Sequence, residues 1–186
     1  KELEVLEDGA KSAYYTADDV LKWIKSKRNT GSENWLSLLE AIQAVVKRKK
    51  TELERYNIEL SLKLDSDVLV KTNPKTLEII IENLLQNAIK FCRGQISIQV
   101  AAQNERVLLN IIDDGFGVMD PNTLRKLNTG VAVKSAKGRR GDAGAGLGLL
   151  MVSEILKNLG ARIRYQNVPD GFLVQLSFPK TPGSIE

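Results

Sequence analysis

The chain has 186 residues, 42% of them hydrophobic and 27% charged, and these globular proportions exclude wholesale disorder. A net charge of +4 suits an anionic ligand without requiring one. One cysteine and no histidine exclude an intrachain disulfide, a multi-cysteine zinc site and histidine-dependent catalysis by this chain. No apolar run is long enough to cross a bilayer, and the first residue, Lys1, indicates a piece of a longer protein. We expect a cytoplasmic setting, including the cytoplasmic part of an inner-membrane receptor.

The N-terminal segment carries a coiled-coil or helix-bundle pattern. Apolar residues recur at spacings of three and four: Leu3, Leu6, Ala10, Ala13, Ala17, Val20 and Ile24. We therefore predict a helix over residues 1–28, which would offer a homodimer interface. The polar residues 29–34 predict a linker, residues 35–179 a main domain, and residues 180–186 a tail.

Helical and strand periods follow one another irregularly through the main domain. The predicted elements are a long helix from Leu38, a strand over 58–64, a helix from Asn73-Pro74 to about Cys92, strands near 96–100 and 107–113 joined by a turn at 103–106, a short helix after Asp120-Pro121, a loop over 128–144, a helix over 147–159 ending at Gly160, and strands near 161–166 and 172–178. Paired strands between helices predict an α+β fold, a two-layer sandwich with helices on one face of a mixed sheet, preceded by the N-terminal helix. The basic run 47–50 is best explained as a solvated helix face, so we expect no nucleic-acid partner.

Polar residues interrupt the predicted core helix in one stripe. Asn83, Asn87 and Lys90 are four and three residues apart, so they share a helix face. The Asn87 amide oxygen suits Mg²⁺, which takes few protein ligands, and Lys90 is a point charge suited to phosphate. For the asparagines alone, a satisfied or exposed polar edge explains the pattern about as well.

Two glycine-bearing strings add to this stripe. Asp113-Asp114-Gly115-Phe116-Gly117 ends a predicted strand, where glycines allow a tight turn beside a ligand. The second string, at 144–149 (GAGLGL), opens a predicted helix whose N–H groups could receive phosphate. Each string alone is weak evidence, and the second is neither a Walker motif nor a dinucleotide fingerprint.

Taken together and in this order, the strings NLLQNAIKF, DDGFGV and GAGLGL resemble the N, G1 and G2 boxes of sensor histidine kinases. Their catalytic domain has the Bergerat-type ATP-binding fold, shared with DNA gyrase, the mismatch-repair ATPases and the large heat-shock chaperone. The resemblance covers about Trp35 to Pro179. More loosely, Tyr14 to Arg28 resembles the end of the second helix of a dimerisation and phosphoacceptor hairpin.

The resemblance implies a role for each matching position. Asn87, assisted by Asn83, would hold Mg²⁺ bridging the ATP phosphates, and Lys90 would contact phosphate. Phe91 would line the nucleotide pocket or, equally, pack in the core. Asp113 would accept a hydrogen bond from the adenine amino group.

Glycines and a loop would complete the nucleotide site. Gly115 and Gly117 would lie beside the base, and the phosphate side would be formed by Gly144, Gly146, Leu147 and Gly148. Residues Asn128 to Ala143 would form a lid. Within it, Lys137, Arg139 or Arg140 would reach the γ-phosphate or would merely be solvated. The aromatic F box usual between G1 and G2 is absent, and Leu127-Asn128-Thr129-Gly130-Val131 occupies its region.

The function implied is transfer of the ATP γ-phosphate to a histidine outside this chain, on an upstream segment or a partner subunit, with a response-regulator receiver domain next in the relay. One alternative is an ATP hydrolase of the same superfamily, which uses a glutamate one helical turn before the metal-binding asparagine. Here that position is Asn83, and Glu82 is rotated about 100° away from it. The other alternative is a degenerate nucleotide-binding or interaction module without kinase activity.

Overall fold

A computed structural model of the protein describes residues 32–64, 68–133, 138 and 147–180. Four helices lie in these ranges: α1 (Leu38–Arg55), α2 (Pro74–Phe91), α3 (Pro121–Asn128) and α4 (Leu147–Asn158). The same ranges contain seven strands: β1 (Asn34–Ser37), β2 (Glu59–Leu64), β3 (Leu69–Thr72), β4 (Gln95–Gln103), β5 (Arg106–Asp113), β6 (Arg162–Val168) and β7 (Gly171–Pro179). The predicted helix over residues 1–28 and most of the predicted lid lie outside the described residues.

Five strands form a mixed sheet in the order β2-β4-β5-β7-β6. Strand β2 runs parallel to β4, whereas the other neighbouring pairs are antiparallel. Burial alternates along β4 and β5, so that Ile98 and Leu109 are fully buried while Gln99 and Asn110 are not. The buried face shares one apolar core with residues of α1, α2, α3 and α4. The predicted α+β fold, with helices on one face of a mixed sheet, is confirmed.

Local capping chemistry determines where the helices begin. The Ser37 hydroxyl accepts a hydrogen bond from the Glu40 N–H at 3.0 Å, and the Asn73 side chain accepts from the Lys75 N–H at 2.9 Å. The Asp120 carboxylate caps α3 by accepting hydrogen bonds from the backbone N–H groups of Asn122 and Thr123. These caps satisfy N–H groups that have no partner inside the helix. The predicted starts at Asn73-Pro74 and Asp120-Pro121 are therefore confirmed.

A second, two-stranded antiparallel sheet was not predicted. It pairs β1 with β3, with Asn34 opposite Thr72, so the predicted linker over 29–34 already contains the first strand residue. In strand β2, apolar residues alternate at positions 58, 60, 62 and 64, yet Leu62 remains 39% exposed. The reason is that β2 lies at the edge of the five-stranded sheet. None of the described helices is long and apolar enough to cross a membrane.

Candidate nucleotide-binding site

Helix α2 carries the predicted polar stripe, and it packs against α1, α4 and β5. Asn83 is half-buried, and its Nδ2 donates to the backbone oxygen of Ile79 at 2.7 Å. A methyl group added at Gly148 would lie 2.6 Å from Asn83 Oδ1. Glycine at position 148, within the second glycine-bearing string, therefore lets the first turn of α4 approach the stripe on α2 closely.

Asn87 lies one turn further along α2 and is half-buried. In the described part of the chain, no residue hydrogen-bonds its side chain, so the amide oxygen remains available to a ligand. The described residues also contain no cluster of three carboxylate or thiolate groups that would cage a metal. This donor set fits Mg²⁺, which keeps waters and phosphate oxygens among its ligands, better than a metal held by protein alone.

Lys90 lies at the end of the stripe, beside Phe91. Its Nζ is 5.0 Å from the centroid of the Phe91 ring, a cation–π distance. Gly138, from the predicted lid, lies against Lys90 so closely that a Cβ would overlap the lysine side chain. Gly138 thus contacts the stripe at its cationic end, and the phosphate-binding role of Lys90 stays a prediction.

Asp113 ends β5 and is the one carboxylate among the described residues that is buried, at 5% exposure. Its Oδ1 accepts from the Gly115 N–H at 2.9 Å, and Oδ2 accepts no hydrogen bond from a described residue. Burial is the main reason that the pKa of Asp113 is raised to about 6; the Gly115 N–H opposes this rise, and the neighbouring charge of Asp114 contributes to it. A buried carboxylate with a raised pKa and an open acceptor oxygen is typical of a ligand-binding group.

Asp114 has a different environment from its neighbour. It accepts from the backbone N–H groups of Arg93 at 2.6 Å and Gly94 at 3.1 Å. Partial burial raises the pKa of Asp114, but these hydrogen bonds and the nearby Arg93 guanidinium outweigh it and hold the pKa below its usual value. Asp114 therefore anchors the strand end to the start of β4, which leaves Asp113 as the candidate for ligand contact.

The two glycines after Asp113 are required by close packing. A methyl group at Gly115 would lie 2.6 Å from Asp113 Oδ1 and 2.7 Å from the backbone oxygen of Phe91. Gly117 has a φ of +68°, and a Cβ there would overlap the side chain of Asn167. The loop after β5 therefore passes between α2 and β6 with no room for a side chain at position 115 or 117. The predicted place of both glycines beside the base stays a prediction.

Sequence reasoning missed Asn167. Its Oδ1 accepts from the Val118 N–H and its Nδ2 donates to the Val118 oxygen, both at 2.9 Å. No sequence signal identified it, because an exposed asparagine near a turn is common.

Five of the predicted site residues lie outside the described residues: Lys137, Arg139, Arg140, Gly144 and Gly146. Leu147 begins α4, and its side chain is not described. The roles of these six residues therefore stay predictions. The described members of the set converge on one region, since α2 packs against both β5 and α4.

Comparison with known proteins agrees with this arrangement. The model of the family described as histidine kinase-, DNA gyrase B- and HSP90-like ATPases matches residues 72–182. Sensor histidine kinase YkoH of Bacillus subtilis is 25% identical over 98% of this chain and 42% of its own length. The alginate biosynthesis sensor protein KinB of Pseudomonas aeruginosa is 35% identical over 64% of this chain and 20% of its own length. The chain thus spans less than half of the curated relatives that it matches.

Solved structures share the fold. The catalytic domain of histidine kinase ThkA superposes with a TM-score of 0.71 at 22% identity, covering 82% of this chain and 100% of that domain. A structure of ThkA in complex with the response regulator TrrA has a TM-score of 0.66 at 20% identity, covering 82% of this chain and 43% of that chain. With the family model matching more than half of its residues, the chain belongs to the family of histidine kinase-, DNA gyrase B- and HSP90-like ATPases.

Proposed function

We propose that the chain is the ATP-binding catalytic part of a two-component sensor histidine kinase, and that it transfers the γ-phosphate of ATP to a histidine outside this chain. Two residues carry this proposal. Asn87 on α2 has a side-chain amide that no described residue hydrogen-bonds, and Asp113 is a buried carboxylate at the end of β5. The Asn87 amide oxygen suits a phosphate-bound metal, and the Asp113 carboxylate suits the adenine amino group. The name of one similar curated protein, sensor histidine kinase YkoH, supports transfer of the phosphate to a histidine.

Each residue has a distinct task in this proposal. The oxygens of Asn87 and Asn83 bind Mg²⁺, which neutralises phosphate charge, and Lys90 binds phosphate directly. Asp113 Oδ2 accepts a hydrogen bond from the adenine N6 amino group. These groups bind and orient ATP, which is most of what phosphoryl transfer requires of the protein.

The position of Glu82 supports a kinase over a hydrolase. A hydrolase of this superfamily needs a carboxylate to activate water next to the γ-phosphate. Glu82 Oε1 instead lies 3.8 Å from Lys49 Nζ of α1, on the side where the two helices pack. With Asn83 in the position one turn before Asn87, the described residues of α2 supply no general base beside the stripe.

The proposal also names the partners. The phosphate acceptor is a histidine-bearing helical hairpin, on an upstream segment or a partner subunit. The predicted helix over residues 1–28 pairs with its counterpart in a homodimer. The next acceptor is a response-regulator receiver domain, by analogy with the ThkA complex. We place the chain on the cytoplasmic side of the membrane, where ATP is available.

Phosphoryl transfer tests the proposal directly. The chain is mixed with a histidine-bearing hairpin polypeptide from a sensor kinase and with γ-labelled ATP. We expect acid-labile, alkali-stable label on the hairpin and no such label on this chain, which has no histidine. Asn87→Ala should abolish transfer, whereas Asn110→Ala, on the opposite sheet face, should retain it. Release of phosphate without transfer would identify a hydrolase, and absence of ATP binding would identify an interaction module; either result refutes the proposal.

A further inference from the structure

The five-stranded sheet has two edges, β2 and β6, and they are covered differently. On β6, the side chain of Asn128 bonds both the N–H and the backbone oxygen of Tyr165, each at 2.9 Å, and helix α3 packs on the strand. On β2, no described residue pairs with the outer side of the strand. An unpaired edge is a template for a strand of another molecule. Strand β2 is therefore the edge of this sheet at which another strand can be added.

The outer side of β2 is formed by the peptide groups of alternate residues. The Glu59 N–H donates to the Gly94 oxygen at 2.8 Å, so the peptide groups of Glu59 and of every second residue after it face β4. The peptide groups of Leu60, Leu62 and Leu64 consequently face outward. The strand contains no proline, and its register with β4 is continuous along its whole length. The edge is thus regular enough to pair with a further strand.

Leu62 shows what such a strand would cover. It lies opposite Ile98, which is fully buried, so its side chain is on the core face of the sheet. It nevertheless remains 39% exposed, because β2 is the last strand on this side. A strand added at this edge would continue the apolar face and remove the Leu62 side chain from water.

The sequence of β2 is complementary to itself when two copies run antiparallel about Ser61. In that register Leu60 lies opposite Leu62 of the second copy, and their outward-facing peptide groups can exchange both hydrogen bonds. Glu59 lies opposite Lys63 of the second copy, and neither residue makes an ion pair with a described residue of its own chain. A lysine on an edge strand generally discourages pairing. Here the second copy supplies the opposite charge at the facing position.

We propose that two copies of this chain associate through antiparallel pairing of their β2 strands, centred on Ser61, which joins their sheets into one continuous sheet. Centring the pair on Leu62 instead would place Lys63 opposite Ser61 and lose both ion pairs. Because only six residues of each copy pair, the association is weak and depends on protein concentration. It involves none of the residues proposed to bind ATP, so it stands independently of the proposed function.

Disulfide trapping in the full chain tests this pairing. Ser61→Cys places a thiol directly opposite its counterpart, at a Cα separation that a disulfide can span. We expect a disulfide-linked dimer after treatment with oxidised glutathione. Gln166→Cys is the matched control, because Gln166 is exposed on the same face of the sheet but at the β6 edge, and it should stay largely monomeric. The native Cys92 is buried and is kept in every variant.

Charge exchange shows whether the trapped dimer has the proposed register. In the Ser61→Cys chain, Lys63→Glu should slow crosslinking roughly 10-fold, because two attractive pairs become repulsive. Adding Glu59→Lys restores opposite charges and should restore the rate, whereas Lys157→Glu, the same charge change on α4, should leave it unchanged.

Three results would overturn the inference. They are equal crosslinking at positions 61 and 166, an effect of Lys63→Glu that Glu59→Lys does not reverse, and a chain that does not crosslink at position 61. The last result is expected if copies associate only through the predicted helix over residues 1–28. None of the three bears on ATP binding or phosphoryl transfer, so the proposed function would be unaffected.

Discussion

The two sides of the candidate site are held in place by different forces. On the side formed by α2 and β5, Asn83 and Asn87 stand on a helix whose inward residues are essentially inaccessible, among them Ile81, Leu84 and Leu85. On the α3 side, Asn128 at the helix end is exposed and Val118 in the loop is only half-buried, and both are held by directed hydrogen bonds to β6. Burial therefore fixes the helix that carries the residues proposed to bind the metal, whereas hydrogen bonds to β6 fix the loop and the helix end on the α3 side.

The largest expected effect is on the buried side. Leu85→Ala should lower the free energy of unfolding by about 2–5 kcal/mol, because a fully enclosed leucine leaves a cavity. Leu62→Ala, at the exposed sheet edge, is the control and should cost less than about 1 kcal/mol. Urea denaturation measures both changes. Equal losses would show that enclosure of Leu85 on α2 adds nothing to stability beyond what an exposed edge leucine contributes.

Asp113→Asn should change how the free energy of unfolding depends on pH. The folded pKa of Asp113 is about 6 against an ordinary value of 3.8, so its contribution to stability is present below pH 3.8 and is lost as pH rises through 6. The difference between 3.8 and about 6 corresponds to roughly 3 kcal/mol. Asp113→Asn should therefore be more stable than the parent at pH 8 and equal to it near pH 4.

Asp114→Asn is the matched control with the opposite sign. The folded pKa of Asp114 is lowered, so its contribution is present at neutral pH and is lost as pH falls. Thermal unfolding across pH 4 to 8 distinguishes the two variants. If both show the same pH dependence, the buried environment assigned to Asp113 is wrong.

On the α3 side, Gly117→Ala should cost about 1–3 kcal/mol, because residue 117 has a positive φ and a Cβ would displace Asn167. Gly94→Ala is the control, since a methyl group there meets its nearest neighbour at 4.0 Å. Unfolding free energies give the comparison. A loss at Gly117 no larger than that at Gly94 would contradict the close packing of the loop against Asn167.

The smallest effect on stability is expected at Asn87. Because no described residue hydrogen-bonds its side chain, Asn87→Ala should change the free energy of unfolding by less than about 0.5–1 kcal/mol. The same change should remove most of the Mg²⁺ dependence of ATP binding, measured by titration with Mg²⁺ or with EDTA. A parent chain that binds ATP equally well without metal would show that Asn87 is structural.

The parts of the fold that depend on local signals could be predicted from the sequence. Asn73-Pro74 starts α2 because the cap and the fixed proline φ act on adjacent residues. Alternation along β5 put Asp113 on the inward face, and the structure buries it there. The stripe on α2 followed from helical spacing alone.

The parts that depend on distant pairing could not be predicted. Strand β1 has four residues and acquires its conformation by pairing with β3, more than thirty positions along the chain, where Asn34 faces Thr72. Likewise, Asn167 is significant only because it meets Val118, a contact between distant parts of the chain. The exposure of Leu62 depends on its edge position, which alternation does not reveal.

The central claim is that Asp113 recognises the adenine of a bound nucleotide by accepting a hydrogen bond from its amino group. Calorimetric titration of ATP and GTP tests this claim most directly. The parent chain should bind ATP·Mg²⁺ more tightly than GTP·Mg²⁺, because guanine presents a carbonyl where adenine presents the amino donor. Asp113→Ala should weaken ATP by roughly 10- to 150-fold, or about 1.5–3 kcal/mol, and leave GTP nearly unchanged. Equal affinities for ATP and GTP in the parent, or an unchanged ATP affinity in Asp113→Ala, would contradict the account.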